Sequence, residues 1–154
     1  MDATFKKLNF KNQPELIVLN APDSFHTNME AMAEFTTIRK NLTGVKSASF
    51  ILAFVTRLEE ISELAPKLAK LIQGDNIIWL AYPKSTSKRY KCDFNRDTGW
   101  AAIGDQGFEP VRQVAIDEDW SALRFRRVEH IKTMIRGSKI TFSEQGKKRI
   151  TKQN

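Results

Sequence analysis

The chain of 154 residues has one cysteine, Cys92, and two histidines, His26 and His130. A lone cysteine cannot close an internal disulfide, so nothing points to an oxidising compartment. The Cys and His residues are far apart and lack ligand spacing, which argues against a metal centre. Seven glycines are present, but nowhere as G-x-G-x-x-G or a Walker pattern, so neither phosphate-cradling loop is available. No stretch approaches the roughly 18 apolar residues of a membrane span. The opening MDATFKKLNFKNQPE lacks the apolar run of a signal peptide. Internal repeats and low-complexity segments are absent as well. A soluble, cytoplasmic protein is the expectation.

What is present is material for a core. Hydrophobic residues make up 41% of the chain, including 10 Phe, 3 Trp and 2 Tyr. A single domain of this size buries about two-thirds of its unfolded surface. Charge is uneven. Residues 1–123 hold 15 basic and 16 acidic side chains, whereas residues 124–154 hold 10 basic and 2 acidic. The overall charge of +7 therefore belongs to the C-terminal segment.

Along the chain, the first 14 residues mix Phe and Lys without a period and read as an arm or a short edge element. Residues 15–20 (ELIVLN) read as a buried strand ended by Ala21-Pro22-Asp23-Ser24. Residues 26–35 suggest a short helix and 36–42 a weak strand. The run Ser49–Val55 (SFILAFV) is uninterrupted, the mark of a strand covered on both faces. Thr56-Arg57-Leu58-Glu59 then has capping-box spacing, and Leu58, Ile61, Ala65, Leu68, Leu71 and Ile72 hold one helical face apolar. Pro66 is expected to kink this helix or start its second segment, and Gly74 to end it. Residues 76–82 (NIIWLAY) form another strand, completing a right-handed βαβ unit. Asn95–Thr98 reads as a helix start, with Gly104 or Gly107 as the stop. Phe108–Ile116 and Ala122–Arg127 read as an antiparallel hairpin joined at Asp117-Glu118-Asp119. The expected fold is α/β: a Rossmann-like three-layer sandwich with a mostly parallel sheet of five or six strands and an antiparallel C-terminal hairpin. One domain should span 1–127, with 128–154 a basic, partly disordered extension.

In open α/β sheets, ligands sit beyond the carboxyl ends of the strands. The loop after the first strand, Asn20–Phe25, has no glycine, which argues against a dinucleotide there. The loop Lys84–Lys91 carries four cations and three hydroxyls, and with Arg96 and Asp97 it can hold a phosphate or carboxylate. A solvated surface loop is the plainer reading of Lys88, Arg89 and Lys91. A third cluster comprises Asp117, Trp120, Ser121, Arg124 and Arg126, with both arginines on one strand face. It can clamp an acidic ligand, or Trp120 can fill the core edge while Asp117 caps the turn. Catalysis has little to stand on: the adjacent carboxylates Asp117, Glu118 and Asp119 diverge as neighbours do, and Cys92 reads as a packed small side chain.

The motifs LNAP (19–22), WLAYPKS (79–85), NRD (95–97) and VAIDEDWSALRFR (114–126) resemble those of a family of small bacterial domains of unknown function. The resemblance covers residues 15–127 and implies a bacterial cytoplasmic origin, but no activity. A looser likeness is to the second half of class I methyltransferases, where a similar strand, helix, strand, helix and hairpin occur. This chain lacks the glycine-rich first loop and the acidic residue after the second strand that hold the methyl donor in that family.

These observations favour a non-catalytic module that binds a small anionic ligand or a protein partner, with no cofactor and no catalytic residues. The site would comprise Lys84, Ser85, Arg96, Asp97, Asp117, Trp120, Ser121, Arg124 and Arg126. The alternatives are nucleic-acid binding through the basic segment, though aromatics for stacking are sparse there, and a degenerate methyltransferase-like enzyme. A dimer is compatible with the exposed sheet edges such a fold leaves.

Overall fold

A computed structural model describes residues 1–94 and 98–131 of the chain. Six strands form one sheet: β1 (Glu15–Leu19), β2 (Thr37–Arg39), β3 (Ala48–Phe54), β4 (Ile72–Pro83), β5 (Phe108–Ala115) and β6 (Trp120–Arg127). Their order is β2-β1-β3-β4-β6-β5. The first four are parallel, and β6 runs antiparallel between β4 and β5. The expected mostly parallel sheet with an antiparallel hairpin is therefore present. Its hairpin lies with the second strand inside, so β6 is shielded on both edges, and β5 and β2 are the two edge strands.

Helix α3 (Leu58–Leu71) and the short α4 (Ala101–Gly104) cover one face, where Ile51, Leu80, Leu123, Phe125 and Trp100 are buried. The short helices α1 (Ala3–Lys7) and α2 (His26–Glu30) cover the other, over Leu52, Phe54, Trp79 and Ala122. Alternation along β6 sends Ala122 to one cluster and Leu123 to the other, as the strand period of two requires.

The first residues are core rather than an arm. Asp2 caps α1 by accepting from the Phe5 N–H at 3.1 Å and also accepts from Asn28 Nδ2 at 3.0 Å, tying α1 to α2. Phe5 and Leu8 are fully buried, and the Leu8 carbonyl accepts from Trp79 Nε1 at 2.8 Å. The helix is too short for its period to be read from sequence, and its apolar residues continue into irregular chain at Phe10.

Further local differences follow from capping and twist. The helix cap falls one residue later than its spacing suggested: Glu60 Oε1 accepts from the Thr56 and Arg57 N–H groups at 2.9 and 3.0 Å. Pro66 lies inside a continuous α3, and its exposed position spares the core. Gly74 does not end the helix, which gives way to β4 at Ile72. It instead adopts φ +61° where β4 bulges out of register, Ala48 facing Ile72 but Phe50 facing Ile77. That bulge exposes Asp75. The described chain stays packed past the expected boundary at residue 127: the Val128 N–H donates to the Gly107 carbonyl at 3.0 Å, and Val128 and Ile131 are buried. The rest of the basic extension, and the expected helix start at Asn95–Asp97, lie outside the described residues. Among the described residues no helix is long and apolar enough to cross a membrane.

Candidate functional site

A cleft of about 780 Å³ opens beyond the carboxyl end of β4, within the size range of small-molecule sites. One side is the edge of the sheet, with Tyr82 and Pro83 from β4, Ser121 beside Tyr82 on β6, and Gln113 and Ala115 from β5. The opposite wall is the loop after β4, which presents Lys84, Ser85, Thr86, Tyr90, Lys91 and Cys92, with Phe94 beyond. Inside the cleft, Gln113 Nε2 donates to the Tyr82 hydroxyl at 3.2 Å. Two ammonium groups, several hydroxyls and three aromatic rings thus surround one space.

The loop holds its shape because the hairpin turn grips it. Buried Asp119 accepts from the Ser87 hydroxyl at 2.8 Å, and its carbonyl accepts from the Lys84 N–H, also at 2.8 Å. Ser87, itself buried, accepts from the Tyr90 N–H at 3.1 Å. Asp117 Oδ1 accepts from the N–H groups of Asp119 and Trp120, both at 2.8 Å, an Asx turn that sets the hairpin reversal. With Ser87 and Asp119 sharing one desolvated hydrogen bond, the loop is preorganised around Lys84.

The residues singled out from sequence divide. Lys84, Ser85 and Ser121 line the cleft together. Asp117 is the turn cap, and Trp120 is a core wall, 5.0 Å centroid to centroid from Phe54 and 4.9 Å from Tyr90. Arg124 and Arg126 stand toward the far end of β6, where β4 begins, and on the other face of the sheet from Ser121. Arg126 donates Nε and Nη2 to Asp75 at 2.8 and 2.6 Å. This bidentate hydrogen bond, more than the opposed cost of burial, holds the Asp75 carboxyl below the usual carboxylate range. Burial lowers the Arg124 pKa, against the pull of Asp75, with Arg126 and Arg112 adding like charge. Arg96 and Asp97 lie outside the described residues. Tyr82, Gln113 and Phe94 were not singled out, because in sequence they look like ordinary strand and core residues. Tyr82 and Phe94 had one signal, flanking the Lys84–Lys91 loop, whereas Gln113, on β5, had none. Among the described residues no His, Cys, Asp and Glu cluster can hold a metal ion.

No protein-family profile matches the chain, and no curated protein matches it by sequence. Solved structures do match. A SAM-dependent methyltransferase from Aquifex aeolicus is 9% identical, with 79% of this chain and 86% of that one covered and a TM-score of 0.55. TrmN from Thermus thermophilus is 8% identical, with 81% of this chain but 47% of that one covered, at a TM-score of 0.51. The fold is therefore methyltransferase-like, a Rossmann-like α/β sandwich.

That fold implies S-adenosylmethionine beyond the carboxyl end of β1, and the residues there do not fit it. The chain leaves β1 through Asn20, at φ +59°, then Ala21 and Pro22, which has no N–H to offer. Lys40, not an acid, follows β2. The sheet edge beyond is closed by rings: Phe25 lies 5.0 Å from Phe54, and Phe54 5.0 Å from Trp120. Phe25, Phe54 and Trp120 are all buried.

Proposed function

We propose that this chain is a methyltransferase-fold domain that binds a small anionic ligand in the cleft after β4 and does not transfer methyl groups. One observation carries the reading. The carboxyl end of β1 is closed by buried aromatics, while the carboxyl end of β4 opens into a cleft lined by Lys84 and Lys91. Lys84 and Lys91 supply charge, Ser85, Thr86 and Ser121 supply hydrogen bonds, and Tyr82, Tyr90 and Phe94 supply apolar walls. Lys84 and Ser85 follow a strand end anchored by Asp119, so little ordering is left to do on binding.

The test is thermal denaturation of the full chain with phosphate, sugar phosphates, nucleotides, di- and tricarboxylates, and S-adenosylmethionine. A ligand that binds only the folded state raises Tm by mass action. We expect a shift from a small anion that persists at 0.15 M salt and disappears in the Lys84→Ala, Lys91→Ala double variant, whose own Tm stays unchanged. A shift from S-adenosylmethionine, or none from any small anion, would overturn the reading.

A further inference from the structure

The strongest charged feature outside the cleft is a group of arginines that nothing in the function proposed above uses. Arg112 on β5 and Arg124 on β6 are direct cross-strand partners. Arg126 is the next β6 residue on the same face. Like charges directly opposite one another on a sheet destabilise it, so such a triplet calls for negative charge. The bulge at the start of β4 supplies some through Asp75, which accepts both of its hydrogen bonds from Arg126 and attracts Arg124 only through space. Glu109, buried, stands in register opposite Arg126 rather than beside Arg112 or Arg124. No hydrogen bond or ion pair joins Arg112 or Arg124 to any described carboxylate. The Arg124 Nε is buried and has no hydrogen-bond partner, although a buried polar atom left unpaired costs about 1–3 kcal/mol. Arg112 is exposed and Arg124 half-buried, so the pair remains reachable from solvent.

Arg127 shows by contrast what a structural arginine looks like here. It lies on the opposite face, 4.6 Å over the Phe108 ring. It donates to the Ala69 and Ile72 carbonyls at 2.7 and 2.6 Å, satisfying the end of α3. Arg112 and Arg124 have no such occupation.

We infer that Arg112 and Arg124, flanked by the Asp75-held Arg126, form a phosphodiester-binding site for the backbone of a nucleic acid. Guanidinium groups bind phosphate through paired N–H donors and carry no base information. A polyanion fits better than a single ion because the positive charge continues past the described residues. Residues 132–154 hold seven Lys and Arg against one Glu, and this segment follows directly on the turn Val128–His130 after β6. His130, at the end of that turn, also acts electrostatically on Asp75, so the described chain already brings positive charge toward the triplet.

The experiment is fluorescence anisotropy of the full chain with a labelled 20-nucleotide RNA and a duplex DNA, across a salt series. Each phosphate contact contributes about 0.7–0.9 to the slope of log K against log salt. Wild type should bind with a linear salt dependence. Arg112→Gln, Arg124→Gln should weaken binding and reduce the slope by about 1.4–1.8. Lys67→Gln, which removes an exposed charge from α3 on the other face, should leave the slope unchanged. The single variant Arg112→Gln, at an exposed position, keeps the test valid should the double variant unfold, with half the change expected. A preference for RNA or for DNA identifies the source of the phosphodiester. Absence of salt-dependent binding by wild type, or an unchanged slope in the arginine variants, would overturn the inference. Neither result bears on the cleft, whose anions are tested separately.

Discussion

The carboxyl ends of β1 and β4 lie along one edge of the sheet's parallel part, two positions apart, and they have opposite characters. Beyond β1, buried Phe25 packs on Phe54, and Phe54 meets Trp120 edge to face, while the turn Asn20–Pro22 offers no glycine approach. Beyond β4, the chain diverges into a polar loop that Asp119 tethers to the hairpin turn. A strand end in this fold is a place where a ligand site can be built. Whether one exists depends on what the following loop packs against. An aromatic row gives the sheet edge packing, and an anchored polar loop gives it an accessible cleft.

Substitutions at each end can break or sharpen this contrast. The largest effect is expected for Phe54→Ala, which removes a buried ring from between Phe25 and Trp120. Loss of a buried Phe costs about 3–5 kcal/mol, measurable by urea unfolding, and a change below about 1 kcal/mol would deny the closed end its structural role. Next comes Asp119→Ala, which strips the Ser87 hydroxyl of its buried acceptor. A loss of about 1–3 kcal/mol should accompany loss of the anion-induced Tm shift. A retained shift would show that the cleft keeps its shape without this anchor.

The smallest effect concerns acid stability. Asp75 has a folded-state pKa below its unfolded value, chiefly through its hydrogen bonds from Arg126. Its contribution is therefore present above the unfolded pKa near 4 and is lost as pH falls through the folded one. For a pair this exposed the contribution is below about 1 kcal/mol. Asp75→Asn should flatten the stability profile below pH 4 and leave ligand binding in the cleft unchanged. An undiminished acid slope would assign that slope to other carboxylates.

Much of the frame was legible in the sequence because it rests on long apolar runs. Residues 49–55 read as a strand covered on both faces and residues 76–82 as another strand, and the helical face between them implied a parallel crossover. Phe5, Leu8 and Phe10 were not legible as core, since five helical residues followed by irregular chain produce no period. The register slip at Gly74 was hidden for a related reason: a bulge depends on the neighbouring strand, not on its own residues. At the candidate site, Lys84 and Ser85 were legible from the rule that ligands gather at carboxyl ends, and Ser121 only as a member of the polar cluster Asp117–Arg126. Arg124 and Arg126 were grouped with Ser121 because they are close in sequence. An extended strand separates such neighbours by about 3.3 Å per residue and alternates their faces, so nearness along β6 carried them to another part of the molecule.

The most direct test of the account is a pair of ¹H–¹⁵N correlation titrations of the labelled full chain, one with the small anion giving the largest Tm shift and one with S-adenosylmethionine. The account predicts anion-induced shifts at Lys84–Cys92, Gln113 and Ser121, and none at Asn20–Phe25 with either compound. Saturable shifts at Asn20–Phe25 with S-adenosylmethionine would contradict it.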